Sequence, residues 1–551
     1  MIKKFRLYLL LIILTEVISF VGWLIPEIGA VGFFAVAVVA LLFSVEKLEY
    51  GLLFLFAELF IGSKGYLFSY EYEGALFSAR IALFLVVMSA WLGKIILDWM
   101  DISKAPKIDF EPWMAKSKEF MQQDLWSVSK KITGQTKEVS VKVKVKPSVY
   151  FYFGLFFLAI TWSIVNGILR HNGFNNVFFD FNAWVYFAVI FPFAYIIKNY
   201  HKEKLEKFLH SLFIVFAAGI TWLSIKTMIL FYLFSHDISH GIDKIYKWVR
   251  DTGVGEITPT GGGFSRIFIQ SQIYVVLGLL VFMALSFYYL LKREENKQGK
   301  NNKITKQENK WQLFYCFIIL LLSIATIIVS LSRSFWVGLA AALLFYCFFI
   351  LLFFYKQWKV IFLHIIFLIT SSVLGFAFVV GIAVFPYPQS GVFNVGVFKD
   401  RAGELSGEAA VSSRWNLLPV LVEKIKKAPF LGSGFGAQVT YITQDPRILA
   451  KNPTGEYTTY AFEWGWLDIW IKLGAVGLLA YCALLIKIFV DGIKVIRKEE
   501  EKRKKLLDIS LLSGLIVLMA TSMFSPYLNH PLGIGYVVLV SVMFKIKTSR
   551  V

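Results

Sequence analysis

The feature that most constrains this chain is a series of apolar runs that recurs from one end of the sequence to the other. A run of about 20 apolar residues is long enough to cross the hydrocarbon core of a bilayer as a helix. Hydrophobic residues make up 57% of the 551 residues, above the roughly 45–50% that is usual in soluble domains. The pattern therefore predicts an all-α polytopic integral membrane protein.

About fourteen transmembrane helices can be drawn at that length. The second and third runs are short, so they could also form one tilted pair or a re-entrant hairpin. The first run follows MIKKFR and lacks a small-residue cleavage site, so we expect a retained span rather than a signal peptide. The spans centre on residues 7–25, 30–45, 50–63, 77–97, 149–169, 180–198, 208–235, 266–291, 312–331, 335–355, 359–385, 465–490, 506–524 and 530–546.

The basic residues predict the orientation, because Lys and Arg mark the cytoplasmic side of short loops. If MIKKFR lies inside and the spans alternate, every strongly basic loop falls on the same side. Both termini are then cytoplasmic. This arrangement also accounts for most of the net charge of +20 without a nucleic-acid partner.

The predicted spans and loops divide the chain into five regions. Residues 98–148 form a cytoplasmic insert with an alternating KEVSVKVKVK pattern that is typical of a strand; it could pack on the membrane or bind a partner. Long structured loops are often functional, so we expect any chemistry in residues 386–464, outside the membrane. The other regions are the N-terminal transmembrane helices 1–97, the central transmembrane helices 149–385 and the C-terminal transmembrane helices 465–551.

The external loop has a helical pattern of its own from Ser413 to Lys427. Either Ser412 or Ser413 is suited to cap its amino end. Pro419 interrupts the pattern, and we expect it to kink the helix or delay its start.

Several arginines fall on the predicted external face. Arg333 stands at the mouth of a long apolar run, where a charge is a functional candidate or an anchor that snorkels to the headgroups. Guanidinium groups bind phosphate through a planar fork of donors, so a cluster of them favours an anionic substrate. The other external arginines are Arg266, Arg401, Arg414 and Arg447.

The sequence gives little support for a bound metal or cofactor. His236 and His240 are four residues apart and could share a helix face, but a metal site normally needs three or four ligands. We therefore expect neither a metal nor a cofactor. If a pyrophosphate leaves at this face, arginine would carry the developing negative charge.

A glycine-rich turn follows the predicted loop helix. Gly432, Gly434 and Gly436 form a GxGxG pattern, but Pro429 and the membrane context argue against a dinucleotide-binding unit. One interpretation is a tight turn that uses the conformational freedom of glycine. The other is a bare backbone that approaches a phosphate or sugar closely.

Four patches resemble the O-antigen ligase and O-antigen polymerase superfamily of bacterial envelope glycan enzymes. SARIALFLVVMSAWL is similar to an arginine-bearing early span, and FSRIFIQSQIYVVLGLL to an arginine-led entry into a central span. SRSFWVGLAAALLF matches an SRxxxxG pattern. SSRWNLLPVLVEKIKKAPFLGSGFG, followed by AFEWGWLDIWIKLGAVGLLAYCALL, resembles the large-loop signature. The resemblance is strongest over residues 260–490.

The resemblance implies a GT-C-like fold and a polyprenyl (undecaprenyl-type) pyrophosphate-linked glycan donor. The glycan would pass to a hydroxyl of a glycan or lipid acceptor at the outer face of the bacterial cytoplasmic (inner) membrane, with inversion and without metal. Arg266 and Arg333 would grip the pyrophosphate. The residues expected to contact substrate are Arg80, Arg401, Arg414, Gly432, Gly434 and Gly436.

The chain departs from the ligase pattern at one position. Ligases of this superfamily carry a histidine eleven residues before the first glycine of Gly-x-x-Gly, whereas this chain has Glu463, followed by Trp464. Glu463 is an interfacial carboxylate without chemistry, a substitute base that takes the acceptor proton, or a group that positions the acceptor. Ligase and polymerase activity both stay open.

Two other classes of protein remain as alternatives. A flippase for lipid-linked glycans could have a similar number of spans, but transporters usually show internal repeats, and none is visible here. A non-catalytic membrane scaffold would give no purpose to the external arginines.

Overall fold

The computed structural model describes residues 2–73, 75–100, 147–236, 241–260, 264–297, 303–385 and 409–548, together with positions 238 and 396. Most of the insert 98–148 therefore lies outside the described residues, and so does its predicted strand.

Helices make up most of the first half of the described chain. Pro26 separates the first two, because its fixed φ suits the first position of a helix. They are α1 (Ile2–Leu24), α2 (Pro26–Glu46), α3 (Leu48–Ile61), α4 (Ala79–Met100), α5 (Val149–Leu169), α6 (Phe174–Asn182), a 3₁₀ helix (Trp184–Val189), α7 (Ile190–Asn199), α8 (Lys202–Ser235) and α9 (Ile242–Asp251).

The second half is also mainly helical. A short 3₁₀ helix (Tyr355–Gln357) joins two of its long helices. The helices are α10 (Gln272–Lys297), α11 (Lys303–Ser330), α12 (Arg333–Phe354), α13 (Trp358–Val384), α14 (Ala409–Lys427), α15 (Pro446–Leu449), α16 (Gly465–Lys498), α17 (Lys502–Thr521) and α18 (Pro531–Thr548).

In the described residues, three antiparallel hairpins supplement the helices, and they occur in or at the edge of segments that were predicted to be external. They pair β1 (Ser69–Tyr72) with β2 (Ala75–Ser78), β3 (Glu256–Pro259) with β4 (Ser265–Phe268), and β5 (Val439–Ile442) with β6 (Glu456–Thr459). The all-α description therefore fits the membrane part, while the connecting segments contain short strands.

The protein is a multi-pass membrane protein. Ten helical stretches in the described residues are long and apolar enough to cross a membrane, or eleven if the bent pair at Phe174–Asn182 and Trp184–Asn199 is one span. One stretch, Arg333–Val384, has 52 residues and contains both α12 and α13. Helix α3 has only 14 residues. The count of fourteen spans stays a prediction.

Helix α10 forms the centre of the bundle. Its most apolar window is 94% buried, against 22%, 22% and 17% for α1, α2 and α4. It packs against α8, α11, α13 and α17. A buried ion pair fixes α1 to α8, since Lys226 Nζ lies 2.6 Å from Glu16 Oε1.

The helix predicted in the external loop is present, but its start was predicted wrongly. It begins at Ala409, so Ser412 and Ser413 lie inside it and neither caps it. The Ser413 hydroxyl is buried and accepts hydrogen bonds from Thr443 Oγ1 (2.8 Å) and from the Gln444 amide (3.0 Å). Tertiary contacts therefore use the group that was expected to cap the helix.

Candidate functional site

Three segments bring arginines together in the part of the chain predicted to face outward. Arg266 lies in β4, Arg333 is the first residue of α12, and Arg414 lies in α14. Arg266 Nε donates to the Ser330 carbonyl at 3.0 Å, which fixes Arg266 beside the turn that leads to Arg333. We call Arg266, Arg333 and Arg414 the arginine cluster.

The three side chains lie within one another's electrostatic field. Burial lowers the pKa of Arg266; the nearby Glu256 raises it, and Arg333 lowers it further. Burial also lowers the pKa of Arg414, and Arg266 and Arg333 add to that effect. Guanidinium groups stay protonated in proteins. The cluster therefore concentrates positive charge whose repulsion a bound anion would relieve.

Glu463 lies at the edge of this cluster. It forms an ion pair with Arg414, and the two side chains are 51% and 38% exposed, so solutes can reach both. Trp464 Nε1 donates to the Arg414 carbonyl at 3.1 Å, and the Trp464 ring lies edge-on to Trp415 at 5.6 Å. The structure thus brings together four predicted site residues: Arg266, Arg333, Arg414 and Glu463.

Arg80 belongs to a different environment. Its side chain is 5% exposed, and its Nε and Nη2 atoms donate to the Glu58 carboxylate at 2.8 and 2.9 Å. Nη2 also donates to the Ser63 carbonyl at 2.7 Å. This buried pair joins α3 to α4 and favours a structural role for Arg80, in place of the predicted substrate contact. Arg401 lies outside the described residues.

The glycine turn is confirmed as a tight turn. Gly432, Gly434 and Gly436 have φ values of 72°, 79° and 75°, which L side chains rarely adopt. All three are buried. A Cβ added to Gly436 would lie 2.7 Å from the Val177 amide nitrogen, and one on Gly434 would clash with the Gly167 backbone. The close approach is therefore to protein backbone, in place of the predicted contact with substrate.

This turn is joined by hydrogen bonds to a break in α16. Gly474 interrupts that helix with φ 71° and ψ −179°. On one side of the break, the Ser433 and Gly434 amides donate to the carbonyls of Ile471 and Lys472 at 2.6 and 3.1 Å. On the other side, the amides of Ala475 and Val476 donate to the carbonyls of Pro429 and Phe430 at 2.9 and 3.1 Å.

Sequence reasoning missed a buried charge cluster next to this turn. Lys472 Nζ lies 2.6 Å from Asp180 Oδ1 and 2.5 Å from Asp468 Oδ1, and the three side chains are 3%, 7% and 2% exposed. We call these residues the buried triad. The spacing of Asp468 and Lys472, four residues apart on one helix, was a visible signal of a pair. Asp180 gave no such signal, because it is 292 residues from Lys472.

The triad connects four parts of the chain, one of which leads to the arginine cluster. Asp180 Oδ2 accepts the Gly436 amide at 2.8 Å, which ties α6 to the glycine turn after α14. Asp468 accepts a hydrogen bond from Asn529. Two residues earlier, the Tyr527 hydroxyl donates to the Gln270 carbonyl at 3.1 Å and lies within the field of Arg266.

The two histidines that were considered as metal ligands, His236 and His240, form no metal centre in the described residues. His236 Nδ1 lies 2.8 Å from the Tyr232 carbonyl oxygen, and His240 lies outside the described residues. Among the residues that the structure describes, no group of three or more His, Cys, Asp or Glu side chains could hold a metal ion.

Comparison with known proteins gives a family match over part of the site. Residues 318–482 match the family described as O-antigen ligase. The match includes Arg333, Arg414 and Glu463, and it begins after Asp180 and Arg266 in the sequence. A search of the curated proteins found no match. Residues 318–482 are thus similar to the O-antigen ligase family, in keeping with the resemblance seen in the sequence motifs.

Proposed function

We propose that this protein is a glycosyltransferase of the ligase or polymerase type. It moves an oligo- or polysaccharide from a polyprenyl pyrophosphate carrier to an acceptor hydroxyl at the outer face of the cytoplasmic membrane, with both termini on the cytoplasmic side. The observation that carries the proposal is the convergence of Arg266, Arg333 and Arg414 from three separate segments. Such a cluster suits a pyrophosphate, which offers several oxygens to planar guanidinium forks.

In the proposed reaction, the arginines act on the leaving group. The acceptor oxygen forms a bond to the anomeric carbon while the bond from that carbon to the pyrophosphate oxygen breaks. The departing pyrophosphate takes the electron pair, and fixed positive charges at that position stabilise the transition state. Two contacts hold Arg266 for this role. Its side chain donates a hydrogen bond to the Ser330 carbonyl, and its guanidinium carbon lies 4.9 Å from the centre of the Phe268 ring in a cation–π contact.

Glu463 is the proposed general base. It would accept the proton that the acceptor hydroxyl loses during attack, which requires a carboxylate within hydrogen-bond reach. Its ion pair with Arg414 aligns the carboxylate beside the cluster, and its half-exposed position leaves room for an acceptor. A direct attack of this kind inverts the anomeric configuration.

Reconstitution in nanodiscs tests the proposal. Purified protein is mixed with a polyprenyl pyrophosphate-linked oligosaccharide and a glycan or lipid acceptor, and the product is followed by a mass shift of the acceptor. We expect transfer by the wild type and strong impairment in Arg333→Lys, which keeps the charge but loses the bidentate fork. Movement of the intact donor across proteoliposomes without transfer would instead indicate a flippase.

A further inference from the structure

An apolar cavity of about 390 Å³ lies among α10, α11, α12 and α13. Its walls include Met283 of α10, Ile327 and Ile328 of α11, and Leu343 of α12. An apolar lining of this kind suits a hydrocarbon chain.

The upper end of the cavity lies directly below the arginine cluster. Ile327 and Ile328 are within one helical turn of Ser330, whose carbonyl holds Arg266. Trp336, another wall residue, is one turn beyond Arg333 on the same face of α12. A ligand with an anionic group at the arginines and an apolar chain below them would occupy both sites.

The depth and the opening fit a lipid chain that enters from the bilayer. Leu343 is about 15 Å beyond Arg333 along the helix axis, roughly half the thickness of a bilayer's hydrocarbon core. The side chains of Trp336, Leu339 and Leu343 are only half-buried at the mouth. Next to that mouth, Leu344 is 77% exposed, as expected for a surface that faces lipid.

We propose that this cavity, named here the tail pocket, holds the first isoprenoid units of the donor lipid. The inference rests on the proposed function, because it assigns the chain that is attached to the pyrophosphate. The donor then enters sideways from the outer half of the bilayer. Its pyrophosphate meets Arg266 and Arg333 while its tail stays in hydrocarbon surroundings.

A larger apolar cavity among the described residues is a poorer site for this tail. It has a volume of about 600 Å³ and lies mainly among α1, α2, α3 and α4. Its charged wall residue is Glu58, which pairs with Arg80. The positive charge of Arg80 beside that cavity is already neutralised by Glu58, whereas the tail pocket leads to a cluster of positive charge.

Matched tryptophan substitutions on one helix test the tail pocket. Leu343→Trp fills the cavity, and Leu344→Trp adds the same bulk on the neighbouring lipid-facing position. Ser372→Trp is a second filling variant, because Ser372 lies at the exposed edge of the cavity, where added bulk does not displace the core. Transfer is measured with a long-chain polyprenyl donor and with a donor shortened to two isoprenoid units.

We expect both filling variants to raise the KM for the long-chain donor by about tenfold or more, since tenfold corresponds to roughly two lost methylene contacts. The same variants should change the KM for the short donor much less, and Leu344→Trp should change neither. A diazirine placed in the tail next to the pyrophosphate should label peptides of α11 to α13. That labelling should decrease in Leu343→Trp.

The outcomes separate this inference from the proposed function. If the wild type transfers glycan but the filling variants match Leu344→Trp with both donors, or the label falls in the 600 Å³ cavity, the tail pocket is wrong and the transferase remains. If the wild type transfers from neither donor, the proposed function fails. In that case labelling alone decides the tail pocket, and label outside α10 to α13 overturns it.

Discussion

Glu463 forms an ion pair with Arg414, so the residue that enters α16 is held against the helix that carries the third arginine of the cluster. The two residues are separated by the glycine turn and the β5–β6 hairpin. The hydrogen bond from Trp464 Nε1 to the Arg414 carbonyl reinforces the same contact. The proposed base and the arginine proposed to bind substrate are therefore in direct contact.

Replacement of Arg333 by lysine should lower the rate of transfer by about 10²-fold or more, the scale expected when one preorganised donor is lost. Single-turnover transfer in nanodiscs measures the effect. Arg250→Lys is the matched control, since Arg250 is an exposed arginine in α9, also in a predicted external segment. Equal rates for the two variants would indicate that Arg333 only anchors its helix at the lipid headgroups.

Replacement of Glu463 by glutamine should lower kcat by about 10²–10⁴-fold and leave donor binding nearly intact, because general base catalysis acts on the chemical step. Glu456→Gln, at an exposed carboxylate of β6 in the same loop, is the control. Glu463→His should retain part of the activity. A normal kcat for Glu463→Gln would mean that pyrophosphate departure alone drives the reaction.

Replacement of Lys472 by methionine should destabilise the protein by about 3–5 kcal/mol, because it leaves two buried carboxylates without their cation. Lys487→Met is the control on the same helix, where Lys487 pairs with Asp491 at the same spacing but in the opposite order, and at a more exposed position. Thermal unfolding followed by tryptophan fluorescence compares them.

The triple variant Lys472→Met, Asp180→Asn, Asp468→Asn should recover much of that loss, since it removes the buried charges together. Equal melting temperatures for Lys472→Met and Lys487→Met would contradict the importance of the triad. Replacement of Asp468 would disturb this triad, so an Asp468 variant is not a suitable carboxylate control for Glu463→Gln.

Replacement of Gly434 by alanine should also destabilise the protein, by at least the roughly 1–2 kcal/mol that a left-handed conformation costs an L residue. A clash with the Gly167 backbone adds to that penalty. Gly93→Ala is the control, since a Cβ at Gly93 in α4 meets nothing within 4 Å. Hydrogen exchange in the glycine turn would rise for Gly434→Ala only; unchanged exchange would argue against its close packing.

The membrane helices could be predicted from the sequence because each apolar run contains its own signal. The arginine cluster could be anticipated in part, since the basic loops placed Arg266, Arg333 and Arg414 on one side. The structural role of Arg80 could not be predicted, because it depends on an ion pair with Glu58 in another helix. The same holds for Asp180 and for the Ser413 hydroxyl, whose partners come from distant segments.

The exchange of hydrogen bonds at Gly474 has a consequence for how this protein can be divided. Residues 429–434 supply backbone partners that α16 lacks at its break, and unpaired backbone groups are costly inside a membrane. The loop predicted to lie outside the membrane is thus part of the packing of the bundle. A fragment comprising residues 386–464 would lose those hydrogen bonds. A bundle without that loop would have unpaired backbone groups at the break in α16. We therefore expect that neither piece folds without the other.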